Sequence, residues 1–269
     1  MNSLESEQVA QTLSKLHNQA EVADRDLMDQ VMADVAASGE SLESRITKMV
    51  AEEKRTYPAV YREHADRFLA VSPDYGRFLY GIVRARNASR IVEFGTSMGV
   101  STIYLAAALR DNGGGTLISS ELEPGKVGRA RNHLEEAGLA DLVELREGDV
   151  LQTLREVGNG VDLLLIDGAW SLYLPVLKLI EPHLARGAVV LGENAFDNDY
   201  IDYVRDPANG YVSLPLPVNE GRGNEFSVRA ATRVGASAAT VPLSAGYSSA
   251  RRRAMAFNSA FACAKMSAV

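Results

Sequence analysis

Between Pro73 and Ala195 the chain alternates short β-rich runs with amphipathic segments of helical length, and this rhythm constrains the fold more than any other feature. The predicted strands are Arg90–Phe94, Thr116–Ser120, Leu142–Leu145, Val161–Ile166 and Ala188–Leu191. The amphipathic stretches between them include Val100–Leu109, Lys126–Ala137 and Leu172–Leu184. Such alternation predicts a parallel sheet with helices on both faces. The uninterrupted apolar run Leu163–Ile166 is typical of a central strand buried on both sides.

After Tyr200 the alternation stops, and two further β-rich runs follow. Tyr211–Leu216 and Asn224–Arg229 are joined by the turn-forming segment Asn219–Gly223, which predicts a closing antiparallel hairpin. We therefore predict an α/β fold: a doubly wound, Rossmann-like sheet of seven strands with a C-terminal antiparallel hairpin, preceded by N-terminal helices.

The regions on either side of this sheet have different patterns. Up to about Leu69, apolar residues recur at threes and fours, and the break at Ser38–Gly39, followed by a cap at Ser41, indicates two or three helices. These helices are interpreted as packing or dimerisation elements, or as the roof of an active site. The segment after Arg229 is rich in Ala and Ser without a clear period, which favours a disordered or loosely attached tail over a C-terminal helix. The predicted regions are thus 1–70, 71–229 and 230–269.

Composition narrows the class of protein. The 269 residues carry a net charge of −7, which argues against a nucleic-acid partner and is compatible with a small neutral or cationic substrate. The single cysteine, Cys263, indicates a reducing compartment. No apolar run approaches the roughly 20 residues of a membrane span, and the first residues do not look like a secretory signal. We expect a cytoplasmic protein without a membrane partner.

The richest motif runs from Glu93 to Ser101, where a predicted strand ends and a helix begins. Gly95 and Gly99 allow a tight turn and a close approach to a ligand. Their spacing, Gly-x-x-x-Gly, is not the Gly-x-Gly-x-x-Gly pattern that admits a pyrophosphate. The carboxylate of Glu93 would repel phosphates and suits an ammonium or sulfonium group.

Two acids follow the next predicted strands. Glu121 comes directly after the second strand, where an acidic side chain can accept both ribose hydroxyls of a nucleoside. Asp149 follows the third strand, and either accepts an adenine amino group or caps the helix that begins near Leu151.

A second polar group follows the fourth and fifth strands. Asp167 ends the fourth strand, and Glu193 with Asn194 ends the fifth. Ligands of open α/β sheets bind beyond the carboxyl ends of the strands, and three oxygen donors there suit Mg²⁺. The alternative is that Asp167 binds the ligand or a neighbouring loop without a metal.

These motifs resemble those of the cation-dependent O-methyltransferases, which include catechol and caffeoyl-coenzyme A O-methyltransferases, from about Val71 to Arg229. The resemblance implies that the motif residues Glu93, Gly95, Gly99 and Ser101 cradle the methionine part of S-adenosylmethionine. It implies that Glu121 binds the ribose and Asp149 the adenine side, with Val71 and Asp167 as further cofactor contacts. It also implies a divalent cation held by Asp167, Glu193 and Asn194.

Two positions depart from the family pattern. Glu193 stands where the family has an aspartate. The carboxylate oxygen ligand is kept, but the side chain is longer by one methylene. Trp170 replaces a lysine that serves the family as general base, three residues after Asp167. Lys178 lies two helical turns further on, about 12 Å along a helix axis, and is too far away to substitute.

The sequence therefore predicts an S-adenosylmethionine-dependent enzyme that methylates an oxygen of a small, aromatic acceptor. Mg²⁺ would lower the pKa of the acceptor hydroxyl, Asp167 would act in catalysis, and Trp170 would wall the acceptor pocket. A homodimer is expected. The alternatives are a metal-independent methyltransferase, a nucleotide-binding oxidoreductase, which Gly-x-x-x-Gly and Glu93 disfavour, and a non-catalytic cofactor-binding protein.

Overall fold

The computed structural model describes residues 2–218 and 223–230. The tail predicted for 230–269 therefore lies outside the described residues except for Ala230, and so do residues 219–222 of the predicted hairpin connection. Within the described residues, no helix is long and apolar enough to cross a bilayer.

The chain begins with helices, as predicted. The three before the first strand are α1 (Glu7–Ser38), α2 (Leu42–Glu63) and α3 (Pro73–Arg86). The predicted break between the first two is confirmed, because Gly39 ends α1 in the left-handed conformation and the Ser41 side chain caps α2 by accepting the N–H of Ser44 at 3.1 Å. Val9, Leu13 and Leu16 lie on one face of α1 and are buried in the same core as the sheet.

Helix α2 is interrupted at Thr56, whose φ of −147° and ψ of 34° are not helical. Pro58 follows two residues later and lacks the N–H that would continue the helical hydrogen-bond ladder. The interruption divides α2 into two parts, with Glu53 before it and Tyr61 after it.

Five strands paired in parallel and a C-terminal antiparallel hairpin form a single seven-stranded sheet, which confirms the predicted architecture. The strands are β1 (Arg90–Phe94), β2 (Thr116–Glu121), β3 (Val143–Glu147), β4 (Val161–Ile166), β5 (Leu184–Gly192), β6 (Tyr211–Pro215) and β7 (Glu225–Arg229). Their order is β3-β2-β1-β4-β5-β7-β6, and β7 runs antiparallel between β5 and β6. Phe94 pairs with Ile166, and Ile166 pairs with Gly192, so β1, β4 and β5 end at the same edge.

Helices cover both faces of this sheet. They are α4 (Val100–Asp111), α5 (Pro124–Glu136), α6 (Val150–Thr153), α7 (Tyr173–Ile180) and α8 (Asn198–Arg205). Alternate residues of β4 enter two different cores: Leu163 and Leu165 pack with α1, α3 and α4, whereas Leu164 and Ile166 pack with α7 and α8. All four are fully buried, which confirms the prediction of a central strand covered on both sides.

Several element boundaries differ from the prediction, most of them by one or two residues. The segment predicted as one helix over Leu172–Leu184 is α7 followed by a 3₁₀ turn at Glu181–His183, and Leu184 already begins β5. The reason is Pro182, which cannot donate a backbone hydrogen bond to a continuing helix. The third strand runs from Val143 to Glu147 rather than from Leu142 to Leu145, because Ala140–Leu142 forms a 3₁₀ turn.

Candidate active site

The glycine turn lies between β1 and α4, at the point where the strand order reverses. Gly95 has a φ of +101°, and a β-carbon there would lie 1.9 Å from the carbonyl oxygen of Asp167. Gly99 has a φ of +86° and forms the N-cap of α4. The predicted tight turn is confirmed, and Gly95 brings the end of β1 against the end of β4 as no other residue could.

Glu93, the acid before this turn, is completely buried. Its carboxylate accepts hydrogen bonds from the hydroxyls of Ser101 at 2.7 Å, Thr102 at 2.7 Å and Ser119 at 2.5 Å. Burial raises the pKa of Glu93, and the three hydroxyl donors oppose that shift. Glu93 therefore ties the first turn of α4 to β2, and the cofactor contacts expected of Glu93 and Ser101 stay a prediction.

Glu121 stands at the end of β2, beside the glycine turn. One carboxylate oxygen accepts the N–H of Ser97 at 2.7 Å, and the other accepts the N–H of Glu123 at 2.9 Å. Ser97 in turn accepts a hydrogen bond from the buried Lys126 at 3.1 Å. Glu121 is partly exposed, so its orientation is fixed while lone pairs stay available to a diol. No motif in the sequence singles out Ser97 or Lys126 for these roles.

Asp149 caps α6 and also contacts α2. Its Oδ1 accepts the N–H of Leu151 at 2.8 Å, and its Oδ2 accepts the hydroxyl of Tyr57 at 2.6 Å. Of the two interpretations of Asp149, the cap is observed. A contact with adenine stays a prediction.

The two acids predicted at the ends of β4 and β5 lie together. The side chains of Asp167 and Glu193 are hydrogen-bonded to each other, and burial followed by the Glu193 charge raises the pKa of Asp167 well above its usual range. The backbone holds the pair in place, because the N–H of Glu193 donates to the carbonyl of Ile166 at 3.0 Å. Asn194 follows in the left-handed conformation, with a φ of +47°.

A tyrosine from α3 completes the surroundings of this pair. Tyr75 is fully buried, and its hydroxyl has no hydrogen-bond partner among the described residues. After burial, the charges of Glu193 and Asp167 are what raise the pKa of Tyr75 most, so its hydroxyl lies within their electrostatic reach. Two adjacent acids, with an unpartnered hydroxyl within their electrostatic reach, are groups of the kind that bind a cation through oxygen.

The acids at this edge are few. Within residues 2–218 and 223–230, no group of three or more His, Cys, Asp or Glu side chains is arranged to hold a metal ion. A cation at the Asp167–Glu193 pair would therefore take its further ligands from the Asn194 amide, water or a bound acceptor.

Trp170 opens the 3₁₀ turn before α7 and is partly exposed. Its ring meets that of Phe196 edge to face, with centroids 5.3 Å apart. The pair joins the loop after β4 to the loop after β5. Val71, by contrast, is buried in the hydrophobic core, and its predicted cofactor contact stays a prediction.

Helix α2 contributes three side chains that the sequence analysis did not single out. Glu53, Tyr57 and Tyr61 are spaced by four residues: the two tyrosines share one face of the second part of α2, and Glu53 lies before the interruption at Thr56. Glu53 accepts the N–H of Ser171 at 3.1 Å, and the Tyr61 hydroxyl lies 3.2 Å from the carbonyl oxygen of Gly168. The four-residue spacing of these residues in an otherwise charged segment is the only signal that could have pointed to them.

Comparisons with known proteins agree with this arrangement. A family described as a methyltransferase domain matches residues 92–195. The catechol O-methyltransferase of Niastella koreensis is 34% identical over 142 residues, which cover 47% of this chain and 63% of the relative. That of Mycobacterium tuberculosis is 35% identical over 127 residues, covering 47% of this chain and 57% of the relative. The chain thus spans about three fifths of the length of these curated relatives.

Solved structures show the same fold. The crystal structure of a putative O-methyltransferase from Klebsiella pneumoniae is 25% identical to this chain, with a TM-score of 0.53. The match covers 60% of this chain and 81% of that one. Residues 92–195 therefore match a methyltransferase domain, in a chain that is similar to catechol O-methyltransferases over about half of its length.

Proposed function

Because residues 92–195 match a methyltransferase domain, we propose that the chain transfers the methyl group of S-adenosylmethionine to a hydroxyl oxygen of a small aromatic molecule. The observation that supports this most is the position of Glu121, held by two backbone N–H groups beside the glycine turn. A fixed carboxylate at this switch point is suited to bind the ribose of a nucleoside.

Cofactor binding tests the first half of this proposal. Calorimetric titration should show binding of S-adenosylhomocysteine, and Glu121→Ala should weaken it by about 1–3 kcal/mol through lost hydroxyl bonds. The exposed Glu52 makes Glu52→Ala a matched control that should bind like the wild type. Absence of binding by the wild type, or tight binding of NAD in its place, would contradict the proposal.

For the second half, we propose that Asp167, Glu193 and Asn194 hold a divalent cation of the Mg²⁺ type. Such an ion lowers the pKa of a hydroxyl bound to it, which is the activation that a phenolic acceptor needs. The chain's own residues do the rest: the glycine turn and Glu121 fix the donor, and Trp170 with Phe196 forms an aromatic wall against which a ring can stack.

The proposal extends to a homodimer in the cytoplasm. The single cysteine suits a reducing compartment, and the N-terminal helices are the elements that we expect to meet in a dimer. Light scattering on the full chain tests the oligomeric state, and a monomer at micromolar concentration would contradict it.

A further inference from the structure

Glu53 is a buried carboxylate outside the sheet, and its bonds converge on one loop. It lies on α2 and is 4% exposed. Its Oε2 accepts the N–H of Ser171 at 3.1 Å, and the backbone N–H of Trp170 bonds to the same carboxylate. Glu53 therefore fixes the loop that carries Trp170.

Tyr61 adds a second tie between α2 and the same loop. Its hydroxyl lies 3.4 Å from Oε1 of Glu53 and 3.2 Å from the carbonyl oxygen of Gly168. Asp167 immediately precedes Gly168. Side chains of α2 therefore contact both ends of the loop, one end next to the acid pair and the other next to the indole.

The Glu53 carboxylate is buried without a cationic partner among the described residues. Within the described part of the chain, no lysine or arginine forms an ion pair with it, and burial raises its pKa to about 7. An uncompensated buried charge is costly, and a loop that needed only an acceptor could use a neutral side chain. An ionisable group kept at this cost beside a cleft marks a functional position.

A cleft of about 430 Å³ opens beside this contact. Its lining includes Lys54, which follows Glu53 in α2, Ser171 in the loop, and Asp197, which forms an ion pair with Lys54. The loop that Glu53 fixes thus forms one border of the cleft.

We propose that Glu53 is a positioning residue for the methyl acceptor: it sets the place of the 168–171 loop and, through it, of the Trp170 indole. The effect of Glu53 on acceptor binding rests on the proposed function, whereas its effect on the position of the loop does not. The ionised carboxylate accepts the two backbone N–H groups more strongly than the neutral acid does, so the indole is held more firmly above pH 7.

The only tryptophan in the chain is Trp170, so its fluorescence reports on this loop alone. The emission of the wild type should change between pH 5.5 and 8.5 with a midpoint near 7, and Glu53→Gln should abolish that transition. Glu52→Gln, one residue away and exposed, is the matched control and should keep it. A flat wild-type profile, or the same transition in Glu53→Gln, would overturn the proposal.

Other groups near the loop can titrate, and the paired variants separate them from Glu53. They are Tyr61 on α2, His64 at the C-cap of α2, Lys54 with its partners Asp197 and Asp199, and Asp167 after β4. All of them are present in both Glu53→Gln and Glu52→Gln, so a transition lost only in the first variant belongs to Glu53.

Turnover and stability distinguish positioning from a merely structural role. With catechol as the probe acceptor, Glu53→Gln should raise the acceptor KM at pH 8 about tenfold and leave the affinity for S-adenosylhomocysteine within twofold. Because the folded-state pKa is raised, Glu53 lowers stability as pH rises from about 4.5 through about 7, so Glu53→Gln should gain in Tm relative to the wild type between pH 5 and pH 8.

An unchanged KM, or a Tm that falls below the wild type at pH 8, would contradict the positioning role. Failure of the wild type to bind S-adenosylhomocysteine or to methylate catechol would contradict the proposed function instead. The fluorescence comparison decides about Glu53 in either case.

Discussion

The carboxylates at the two ends of the candidate site, the glycine turn and the ends of β4 and β5, have different hydrogen-bond partners. At the glycine turn, Glu93 is met by three hydroxyls and Glu121 by two backbone N–H groups. At the ends of β4 and β5, Asp167 and Glu193 face each other, beside a tyrosine hydroxyl without a partner among the described residues. The first end is preorganised by donors of the protein itself, whereas the second holds two adjacent acids whose ionised forms a bound cation would stabilise.

Removing a member of the acid pair should have the largest effect. Asp167→Ala should lower turnover at least about 100-fold, a loss of about 2.7 kcal/mol of transition-state stabilisation, while the protein stays folded because the substitution removes an acid that burial disfavours in its charged form. A chelator should act in the same way on the wild type, and Mg²⁺ or Mn²⁺ should restore it. Steady-state kinetics with catechol measures both effects.

The exposed Asp26 offers Asp26→Ala as the control, which should keep wild-type turnover. Full activity in excess chelator would remove the cation from the mechanism and favour the metal-independent alternative. The two ends of the site would then differ in how their carboxylates are hydrogen-bonded, but not in a need for a cation.

At the other end, Gly95→Ala should cost stability. The added β-carbon would meet a backbone oxygen at 1.9 Å, and the left-handed conformation adds strain. Gly113 has a similar φ of +96° but nothing within 4 Å of the added carbon, so Gly113→Ala should show only the strain of about 1–2 kcal/mol. Urea denaturation should show that Gly95→Ala loses at least about 2 kcal/mol more than this control.

Equal losses in the two variants would mean that β1 and β4 can separate without cost. Gly95 would then not be needed to hold the glycine turn in its observed conformation. Loss of S-adenosylhomocysteine binding should accompany Gly95→Ala alone.

The smallest expected effect is that of Tyr57→Phe, which removes the hydroxyl bonded to Asp149. Asp149 keeps its bond to the Leu151 N–H, so the free energy of unfolding should fall by about 1 kcal/mol and the affinity for S-adenosylhomocysteine should change less than about threefold. Tyr80→Phe removes an equally short bond, 2.6 Å to Asp111, outside the candidate site and should cost a similar amount. A tenfold change in affinity in Tyr57→Phe alone would place Tyr57 among the cofactor-binding residues.

The sequence by itself determined the sheet and most of the polar residues at its edge. The limits of β1 and β4 were predicted to the residue, because β-rich runs bounded by turn residues leave little freedom in where such strands begin and end. The neighbourhood of Asp167 and Glu193 followed as well, since parallel strands end at one edge. The end of α7 lies before the predicted one, because Pro182 interrupts the helical hydrogen bonds although the apolar period continues past it.

Only the tertiary structure decided what covers that edge. Glu53 and Ser171 are 118 residues apart in the chain, and Tyr57 and Asp149 are 92 apart. Their hydrogen bonds depend on where α2 packs on the sheet. Local periodicity predicts the helix, but it carries no information about where in the fold the helix packs. The same holds for the state of each carboxylate. Residue type shows that Glu53 can ionise, but the burial that folding alone creates raises its pKa to about 7, against the opposing effect of the backbone N–H groups around it.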